Sequence, residues 1–577
     1  MEKRLLVAIA LSFLVLYGYQ MLVLNPAQEK ARREAAAALA ARPAAPPSPA
    51  AGVAGSLQVA ATPAVAAAAP SQPIIAEGTE RDVVVETQTV RAVFTNRGAK
   101  LKSWKLKGFR DLQKRPQELV PSYLEPDRIH PFDLMVDDPG ATARLKDALF
   151  QLAGEDSVDA TRGEQTVVFT FEDGFGLKAR KAFTFAPGGY IVRLTAEVQV
   201  GGRAMNPTVL WGAGLGDQVP GAESSRYVQK PEAIIVRGSK VQRVAATAFG
   251  KEPVQEGDFS AAGVDDQYFV AIALPKRMVR VDYSRVMFTL PAPATAAPNA
   301  PPKIADLVAF GVRQAQSMSD LAFFVGPKDF DVLQAARSDG QLVRVINFGI
   351  FDFLAVPLLR ALVWIHSYVG NYGWAIIILT FLINAVMFPL RHKSMVSMRK
   401  MQEIQPQMKA IQDRYAKFKA TDPEKQKMNA EVMALYKEKG VNPASGCIPM
   451  LLTMPVLFAF YSLLSAAIEI RGEPFIWWIK DLSAHDPYYV TPILMGASQF
   501  VQQRMTPTGG DPAQQKMMMM MPLVFTFMFL WMPSGLTVYW FFSNLLAIGQ
   551  QYITNKMVGP PNTPRPPAER RLKTKPA

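Results

Sequence analysis

The chain has 577 residues, of which 49% are hydrophobic and 19% are charged, and its mean hydropathy is +0.07. This composition excludes a wholly disordered protein and argues against an ordinary soluble enzyme. The formal net charge of +14 suits contact with nucleic acid or with an anionic membrane surface. One cysteine and four widely separated histidines argue against a disulfide framework and a metal centre, so we expect no metal and no cofactor.

The N-terminal region predicts a membrane anchor followed by a tether. Residues 5–24 carry no charge and follow Lys3 and Arg4, and twenty helical residues span roughly the 30 Å hydrocarbon core. The segment ends without a small-x-small cleavage site, which favours an uncleaved signal anchor (residues 1–26) over a cleaved signal peptide. Residues 27–73 are rich in alanine and proline and predict a disordered linker.

Residues 74–341 carry strand signals. Apolar and polar side chains alternate from Tyr190 to Val200, the period of a half-buried strand. Two alternating runs on either side of Asp173-Gly174 predict a hairpin. Further strands are predicted at 83–85, 90–94 and 268–274. Long antiparallel stretches without alternating helices predict a β-sandwich. Its single histidine, His130, and the lack of a nucleophile motif argue against catalysis, so we expect that the protein is not an enzyme.

The C-terminal third is predicted to be a membrane domain. Residues 342–369 are apolar but interrupted by charges and a proline, which favours a helix lying in the membrane interface over one that crosses it. Residues 370–555 then hold five apolar spans, and Pro533-Ser534-Gly535 predicts that the last two are neighbouring antiparallel helices. With the anchor, this gives six transmembrane helices. The five spans are 372–390, 447–470, 490–505, 517–532 and 536–553.

Loop charges predict the orientation in the membrane. Residues 391–439 hold twelve Lys and Arg against six Asp and Glu, whereas residues 471–489 hold two against three. The tail, residues 556–577, is also basic. Because positive loops stay in the cytoplasm, both termini are predicted to be cytoplasmic and the β domain external.

Residues 391–440 predict a cytoplasmic helical hairpin. Apolar residues recur at spacings of three and four in its first helix, which Pro406 should kink, and Thr421 or Asp422 can cap the second helix. The basic residues form either a merely solvated face or a docking surface for ribosomal RNA, acidic partners or anionic lipid. The apolar stripe is Met401, Ile404, Met408, Ile411, Tyr415 and Phe418. The candidate docking residues are Arg399, Lys400, Lys409, Arg414 and Lys417, with Arg570, Arg571 and Lys573 in the tail.

Polar residues recur inside the predicted spans, where each costs free energy unless it faces protein or water. Thr380 and Asn384 are four residues apart and therefore share a helix face. The polar residues form interhelical hydrogen bonds or line a hydrated groove open to the cytoplasm, and both interpretations stay open at this point. We predict that the groove is lined by Thr380, Asn384, Thr453, Ser498, Gln499 and Ser543.

Several stretches resemble a known protein family, and they occur in the same order as in that family over about 230 C-terminal residues. They are 324–328 (FVGPK), 364–371 (WIHSYVGN), 380–390 (TFLINAVMFPL), 434–443 (ALYKEKGVNP), 446–455 (GCIPMLLTMP), 481–496 (DLSAHDPYYVTPILMG) and 529–544 (FLWMPSGLTVYWFFSN). In these stretches the chain resembles the YidC/Oxa/Alb family of membrane insertases, in its Gram-negative form with a large periplasmic domain.

The resemblance implies an insertase and chaperone of the bacterial inner membrane. Its five-helix core would have a hydrophilic groove open to cytoplasm and lipid, and its external domain would be a supersandwich-like domain in the periplasm. Its implied partners are nascent membrane proteins, the Sec translocon, the ribosome through the hairpin and tail, and membrane lipids. A client helix would slide out along the residues Leu457, Met520, Phe525, Tyr539 and Trp540. The competing functions are a secondary transporter, which would be expected to show paired repeats or a midplane ionisable residue, and a membrane-anchored periplasmic glycan-active protein.

One position departs from the family. The groove of the family usually carries a cation one turn after the threonine that matches Thr380, and here that residue is Asn384. Arg391 and Lys393 follow seven and nine residues later, which is roughly 10–14 Å along a helix. We therefore expect them to lie too far toward the cytoplasm to replace the cation, and the groove to lack an electrostatic pull on acidic clients.

Overall fold

The computed structural model describes residues 75–111, 113–121, 128–212, 214–216, 231–248, 254–289, 304–316, 318–337, 339–418, 422–440, 448–505 and 512–558. The predicted anchor and linker, and nearly all of the basic tail, lie outside these residues, so their predictions stay untested. The contacts below lie within one compact unit, Ala69–Gly509 with Met518–Ala577.

Within the described residues, twenty strands form three sheets, antiparallel except where β1 pairs with β7. The first sheet has the order β4-β3-β2-β1-β7, the second β14-β13-β16-β17-β20-β10-β9-β8-β6 with β11 beside β10, and the third β15-β18-β19-β12-β5. The strands are β1 Asp82–Glu86, β2 Val90–Thr95, β3 Lys100–Arg110, β4 Pro116–Glu118, β5 Leu134–Met135, β6 Gln151–Ala153, β7 Ser157–Asp159, β8 Gln165–Glu172, β9 Leu177–Phe185, β10 Ile191–Val200, β11 Arg203–Met205, β12 Thr208–Trp211, β13 Glu232–Arg237, β14 Lys240–Ala245, β15 Val254–Gly257, β16 Ala261–Asp265, β17 Phe269–Leu274, β18 Val279–Thr289, β19 Ile304–Gln314 and β20 Met318–Pro327.

Aromatic side chains join the sheets into one core. Phe94 of the first sheet contacts Phe183 of the second, with 4.6 Å between ring centroids. Tyr283 of the third sheet donates its hydroxyl to the carbonyl of Ile234 in the second, at 2.9 Å. The domain predicted as a β-sandwich is therefore confirmed to be β-rich, and its sandwich class stays a prediction. The strand predicted at 190–200 and the hairpin, now seen as β8 and β9, are confirmed.

A lysine is buried in this core. Lys181 of β9 is 1% exposed, and its ammonium donates to the carbonyls of Gly98, Ala99 and Phe132 at 2.6, 3.1 and 2.8 Å. Burial lowers the pKa of Lys181 to about 7, although nearby Asp133 acts in the opposite direction. The three acceptors lie between β2 and β3 and just before β5. Lys181 therefore links these two segments to β9 by hydrogen bonds inside the core.

This buried lysine predicts a pH effect. In the unfolded chain its pKa is about 10.4, so between about pH 7 and 10 the unfolded state binds one more proton than the folded state. The contribution of Lys181 to stability therefore rises as pH rises from 7 to 9. In Lys181→Met the three carbonyls lose a donor, at about 1 kcal/mol each, and the pH-dependent part disappears. Thermal unfolding of the full chain at pH 7 and 9 measures both effects. In the control Lys178→Met, which replaces an exposed lysine of the same strand, the pH dependence should match the wild type; equal slopes in all three proteins would contradict the prediction.

A charged cluster closes the end of the β domain. Lys328, directly after β20, lies 3.2 Å from the carboxylate of Asp265, and the same carboxylate oxygen accepts from Arg243 at 3.2 Å. Asp265 is wholly buried and Lys328 is 1% exposed. Arg243 also donates to the carbonyl of Val345 at 2.5 Å. The cluster thus ties the second sheet to the segment that leads into the helical region.

Other contacts seat the β domain on the helical region. Gln267 donates to the carbonyl of Ser465 at 2.6 Å, and Arg471 donates to the side chain of Gln117 at 3.0 Å. The guanidinium of Arg471 also lies 5.3 Å from the ring centroid of Tyr268. The two regions therefore share polar and cation–π contacts as well as apolar packing.

Ten α-helices are present in the described residues. They are α1 Pro139–Asp147, α2 Phe330–Ala336, α3 Asp352–Val369, α4 Tyr372–Glu403, α5 Gln405–Arg414, α6 Pro423–Glu438, α7 Ile448–Ala466, α8 Val490–Met505, α9 Pro512–Phe529 and α10 Ser534–Val558. The helix predicted over 490–505 is confirmed at both ends. The helix predicted over 342–369 is wrong in its first ten residues, where two short 3₁₀ turns, Leu342–Val345 and Gly349–Phe351, precede α3.

The predicted hairpin is partly corrected. The helix that begins at Tyr372 continues without interruption to Glu403, so the predicted span and the first part of the cytoplasmic helix are one element. The prediction of a single helix kinked at Pro406 is wrong. Helix α4 ends at Glu403, and Pro406 lies in the first turn of α5, where its missing N–H removes no hydrogen bond. The predicted cap of the second helix is confirmed, since the side chain of Asp422 accepts from the N–H of Glu424 at 3.1 Å.

By length and composition, two helical stretches among the described residues could cross a membrane, Gly349–Val369 and Tyr372–Met398. Thr453–Ala466 and Met519–Phe529 are also apolar but shorter. The predicted count of six spans, and the interfacial placement of α3, stay predictions.

Candidate functional site

A row of polar contacts joins α4 to α10, and we call it the α4–α10 seam. Asn384 donates to the hydroxyl of Ser543 at 3.4 Å, and Gln550 donates to the carbonyl of Phe388 at 3.1 Å. One turn farther along α4, His392 lies 3.3 Å from the hydroxyl of Thr554. Residues 384, 388 and 392 follow the four-residue repeat of one helix face, so a single stripe of α4 meets α10 through polar groups.

Thr380 and Asn384 lie side by side at the start of this row. The Thr380 hydroxyl donates to the carbonyl of Ile376 at 2.6 Å, and the Asn384 amide donates to the carbonyl of Thr380 at 2.8 Å. Thr380 is wholly buried and Asn384 is 8% exposed. The two residues predicted to share a face do so, and their donors are satisfied within α4 and by α10.

Sequence reasoning dismissed Arg391, and the structure corrects this. Its Nη1 donates to the side-chain oxygen of Asn384 at 2.5 Å, so the guanidinium reaches the position that lacks a cation. Residues seven apart lie almost on one helix face, and helical side chains lean toward the N-terminus of their helix. The long side chain of Arg391 therefore covers most of the axial distance between the Cα atoms of residues 391 and 384. The signal was in the sequence, as an arginine at i+7 from a buried amide.

Of the remaining predicted groove residues, Ser498 contacts a second face of α10. Asn544 donates to the hydroxyl of Ser498 at 3.1 Å and to the carbonyl of Met495 at 3.3 Å, which joins α10 to α8. The side-chain oxygen of Gln499 is buried and has no hydrogen-bond partner among the described residues. Thr453 lies half-buried on α7. The predicted set is thus divided between two faces of α10 and a third helix.

The predicted slide contacts differ in exposure. Phe525 and Trp540 are half-buried and lie 5.3 Å apart between ring centroids, which brings α9 and α10 together after their tight turn. Tyr539 is 3% exposed and stacks on Phe460 at 4.2 Å, so it lies inside the helix bundle. Met520 is 55% exposed, whereas Leu457 is partly buried against the core.

The candidate docking residues are largely at the surface of the hairpin. Lys400, Lys409 and Lys417 are exposed. Arg414 is also exposed but pairs with Glu431 of α6 at 2.9 Å, so part of its charge serves the hairpin itself. The side chain of Arg399, and the tail residues Arg570, Arg571 and Lys573, lie outside the described residues.

Comparisons with known proteins identify the family. A family model described as 60Kd inner membrane protein matches residues 364–560, and one described as YidC periplasmic domain matches residues 82–361. The membrane protein insertase YidC of Syntrophus aciditrophicus is 35% identical over 574 residues, covering 96% of this chain and 100% of the relative. The chain belongs to the YidC family of membrane protein insertases. The YidC of Citrifermentans bemidjiense is 37% identical over 574 residues, covering 97% and 100%.

Membership in the YidC family confirms the resemblance seen in the sequence and the insertase prediction. It also identifies an inner membrane protein with a periplasmic domain; the model of that domain matches residues 82–361, which contain the β domain. A crystal structure of an active YidC insertase aligns at 18% identity with a TM-score of 0.34, covering 84% of this chain and 95% of that chain. The family assignment rests on the sequence matches.

Proposed function

We propose that the chain inserts transmembrane segments of nascent proteins into the inner membrane, and that the α4–α10 seam, with Thr380 and Arg391, receives the client's polar segment. The observation that carries this is the placement of amide, hydroxyl and guanidinium groups along one buried stripe of an apolar helix. Polar groups inside such helices are costly, so a set of them on one stripe favours a functional role.

The physical mechanism follows from solvation. Moving a polar segment through hydrocarbon leaves its backbone groups without partners, at several kcal/mol per group. Polar groups of the seam can substitute for lost water along part of that path. The client's apolar helix then leaves into lipid, and removal of its apolar surface from water supplies the driving force. No step requires nucleotide hydrolysis by this chain.

We also propose a topology in the membrane and partners for the chain. Six transmembrane helices would place both termini in the cytoplasm and the β domain in the periplasm, as the basic loop at 391–440 and the basic tail favour. The exposed lysines of the hairpin, Lys400, Lys409 and Lys417, would then face the ribosome or anionic lipid. The Sec translocon is a further partner for clients that need it.

Reconstitution tests this function. Liposomes that contain only the purified full-length protein should insert a ribosome-synthesised single-span client, scored by protection of its translocated tail from protease. We expect protection well above that in empty liposomes. Protection only after the Sec translocon is added would restrict the proposal to Sec-dependent insertion, and no protection under either condition would refute it.

A further inference from the structure

A cavity of about 420 Å³ lies where the β domain meets the helical region. Its walls come from the start of α2, the second half of α3, the first residue of α4 and the 3₁₀ turn Ile468–Ile470 that follows α7. The volume is within the range of cavities that bind small molecules. The cavity shares no residue with the α4–α10 seam, so the insertion mechanism above does not use it.

The walls of this cavity carry more negative than positive charge. Three carboxylates, those of Asp329, Asp331 and Glu469, face one guanidinium, that of Arg360, which leaves a formal charge of −2 when all four groups are ionised. Burial and the nearby charge of Asp331 raise the pKa of Asp329, as expected where carboxylates lack a cation. The cavity therefore favours a ligand with a cationic group over a purely anionic one.

Two of these carboxylates lack hydrogen-bond donors. Oε1 of Glu469 accepts from the backbone N–H of Phe330 at 3.1 Å, whereas Oε2 is buried without a partner among the described residues. A turn about the soft terminal torsion of Glu469 would present that oxygen to the cavity. Asp331 is exposed and makes no ion pair within the described ranges. A primary ammonium supplies three N–H donors and a quaternary ammonium supplies none, so a primary ammonium fits better.

The opposite wall suits a phosphate and an apolar chain. The guanidinium carbon of Arg360 lies 4.8 Å from the ring centroid of Phe330, and no carboxylate of a described residue lies within 4 Å of this arginine. Its N–H donors can therefore bind a phosphate. One turn along α3, Trp364 is 61% exposed at the cavity, next to half-buried Val363. Tryptophan is typical of the boundary between membrane and water.

We propose that this cavity binds the headgroup of a phospholipid that carries a primary ammonium as well as a phosphate, as phosphatidylethanolamine does. The ammonium lies between Asp331 and Glu469, the phosphate lies against Arg360, and the acyl chains leave past Trp364. The inference goes beyond insertion and rests only on the proposed topology, which places this end of the helices at the periplasmic surface of the membrane. The bound headgroup links α2 to α3 at that surface.

The test measures binding to the delipidated full-length protein in detergent by titration calorimetry. The probes are dihexanoyl phosphatidylethanolamine, phosphatidylcholine and phosphatidylglycerol, and the soluble compound phosphoethanolamine. We expect phosphatidylethanolamine to bind about tenfold more tightly than phosphatidylcholine, the order of one charge-assisted hydrogen bond, and phosphatidylglycerol to bind most weakly. Phosphoethanolamine should bind more weakly than the lipid because it lacks the apolar part. Equal affinity would identify a soluble amine phosphate as the ligand and overturn the assignment to lipid.

Variants separate the two ends of the headgroup. Asp331→Asn and Glu469→Gln should each weaken binding of phosphatidylethanolamine about tenfold and leave phosphatidylcholine nearly unchanged, so the preference between the two lipids disappears. Arg360→Gln should weaken both lipids about equally, since both carry the phosphate. The matched controls are Asp352→Asn and Arg344→Gln, which make equal charge changes at exposed positions outside the cavity, and neither should change binding.

Equal loss of both lipids in the carboxylate variants, or tighter binding of phosphatidylglycerol than of phosphatidylethanolamine, would overturn the inference. If Glu469→Gln does not fold, Asp331→Asn decides by the same ratio of affinities, because residue 331 is exposed. Wild-type protein that inserts clients but shows no headgroup preference refutes only this inference. Wild-type protein that binds the lipid as expected but inserts no client refutes only the proposed function.

Discussion

The triple variant Thr380→Val, Asn384→Leu and Ser543→Ala is expected to reduce insertion of a client with a polar translocated segment to the background of empty liposomes. Asn384 donates both to the carbonyl of Thr380 and to the hydroxyl of Ser543, and the replacements keep similar volumes while removing the side-chain hydrogen-bonding groups. The client's polar segment would then cross an apolar path, at a cost of several kcal/mol for each unsatisfied backbone group. Protease protection of the client tail measures the effect.

A matched control keeps the number of lost polar groups constant. Thr491 and Thr537 share a hydrogen bond of 2.9 Å between α8 and α10, and the Ser462 hydroxyl bonds within α7, so none contacts α4 in these bonds. The variant Thr491→Val, Thr537→Val and Ser462→Ala should insert the client as the wild type does. Loss of insertion in the control as well, or its persistence in the seam variant, would contradict a role for the seam. Thr453→Val, tested alone, would show whether α7 also lines the path.

The sequence predicted those strands and helices whose buried face leaves an apolar pattern along the chain. The alternation around Val192, Leu194 and Ala196 predicts a strand because one sheet face must be apolar, and these side chains are indeed buried in β10. The apolar run at 490–505 gives α8 with both ends correct. The end of α4 was missed because nothing between Leu390 and Glu403 breaks a helix; apolar character ends where the predicted span ends, but the backbone hydrogen bonds continue.

The site could be predicted less completely because it depends on directions that a linear pattern does not contain. Ser543 and Asn544 are neighbours in sequence, yet successive helix positions differ by about 100°, so one faces α4 and the other α8. The bond between Arg391 and Asn384 depends on the lean of a long side chain. Counting residues along the chain finds the polar stripe but does not determine which members touch.

Asp265→Asn is expected to destabilise the β domain by about 3–5 kcal/mol, the usual cost of removing one partner from a buried ion pair. The variant keeps the shape of the side chain but removes the carboxylate that both Lys328 and Arg243 contact. Because residue 265 is wholly buried, water cannot take the place of that carboxylate. Thermal unfolding of the full-length protein, with hydrogen exchange in β16 and β20, measures the loss. Asp320→Asn, an equal charge change at an exposed position of β20, should stay within about 0.5 kcal/mol of the wild type.

The pH dependence of that deficit distinguishes electrostatics from packing. Burial lowers the pKa of the Lys328 amine, and Asp265 opposes this effect, so removal of the carboxylate lowers the pKa further. The folded variant then binds fewer protons than its unfolded state over a wider pH range, and its stability must rise with pH across that range. The difference from the wild type should therefore shrink as the pH rises toward about 10, the ordinary pKa of lysine. A deficit that is constant with pH would attribute the loss to altered packing around residue 265 instead.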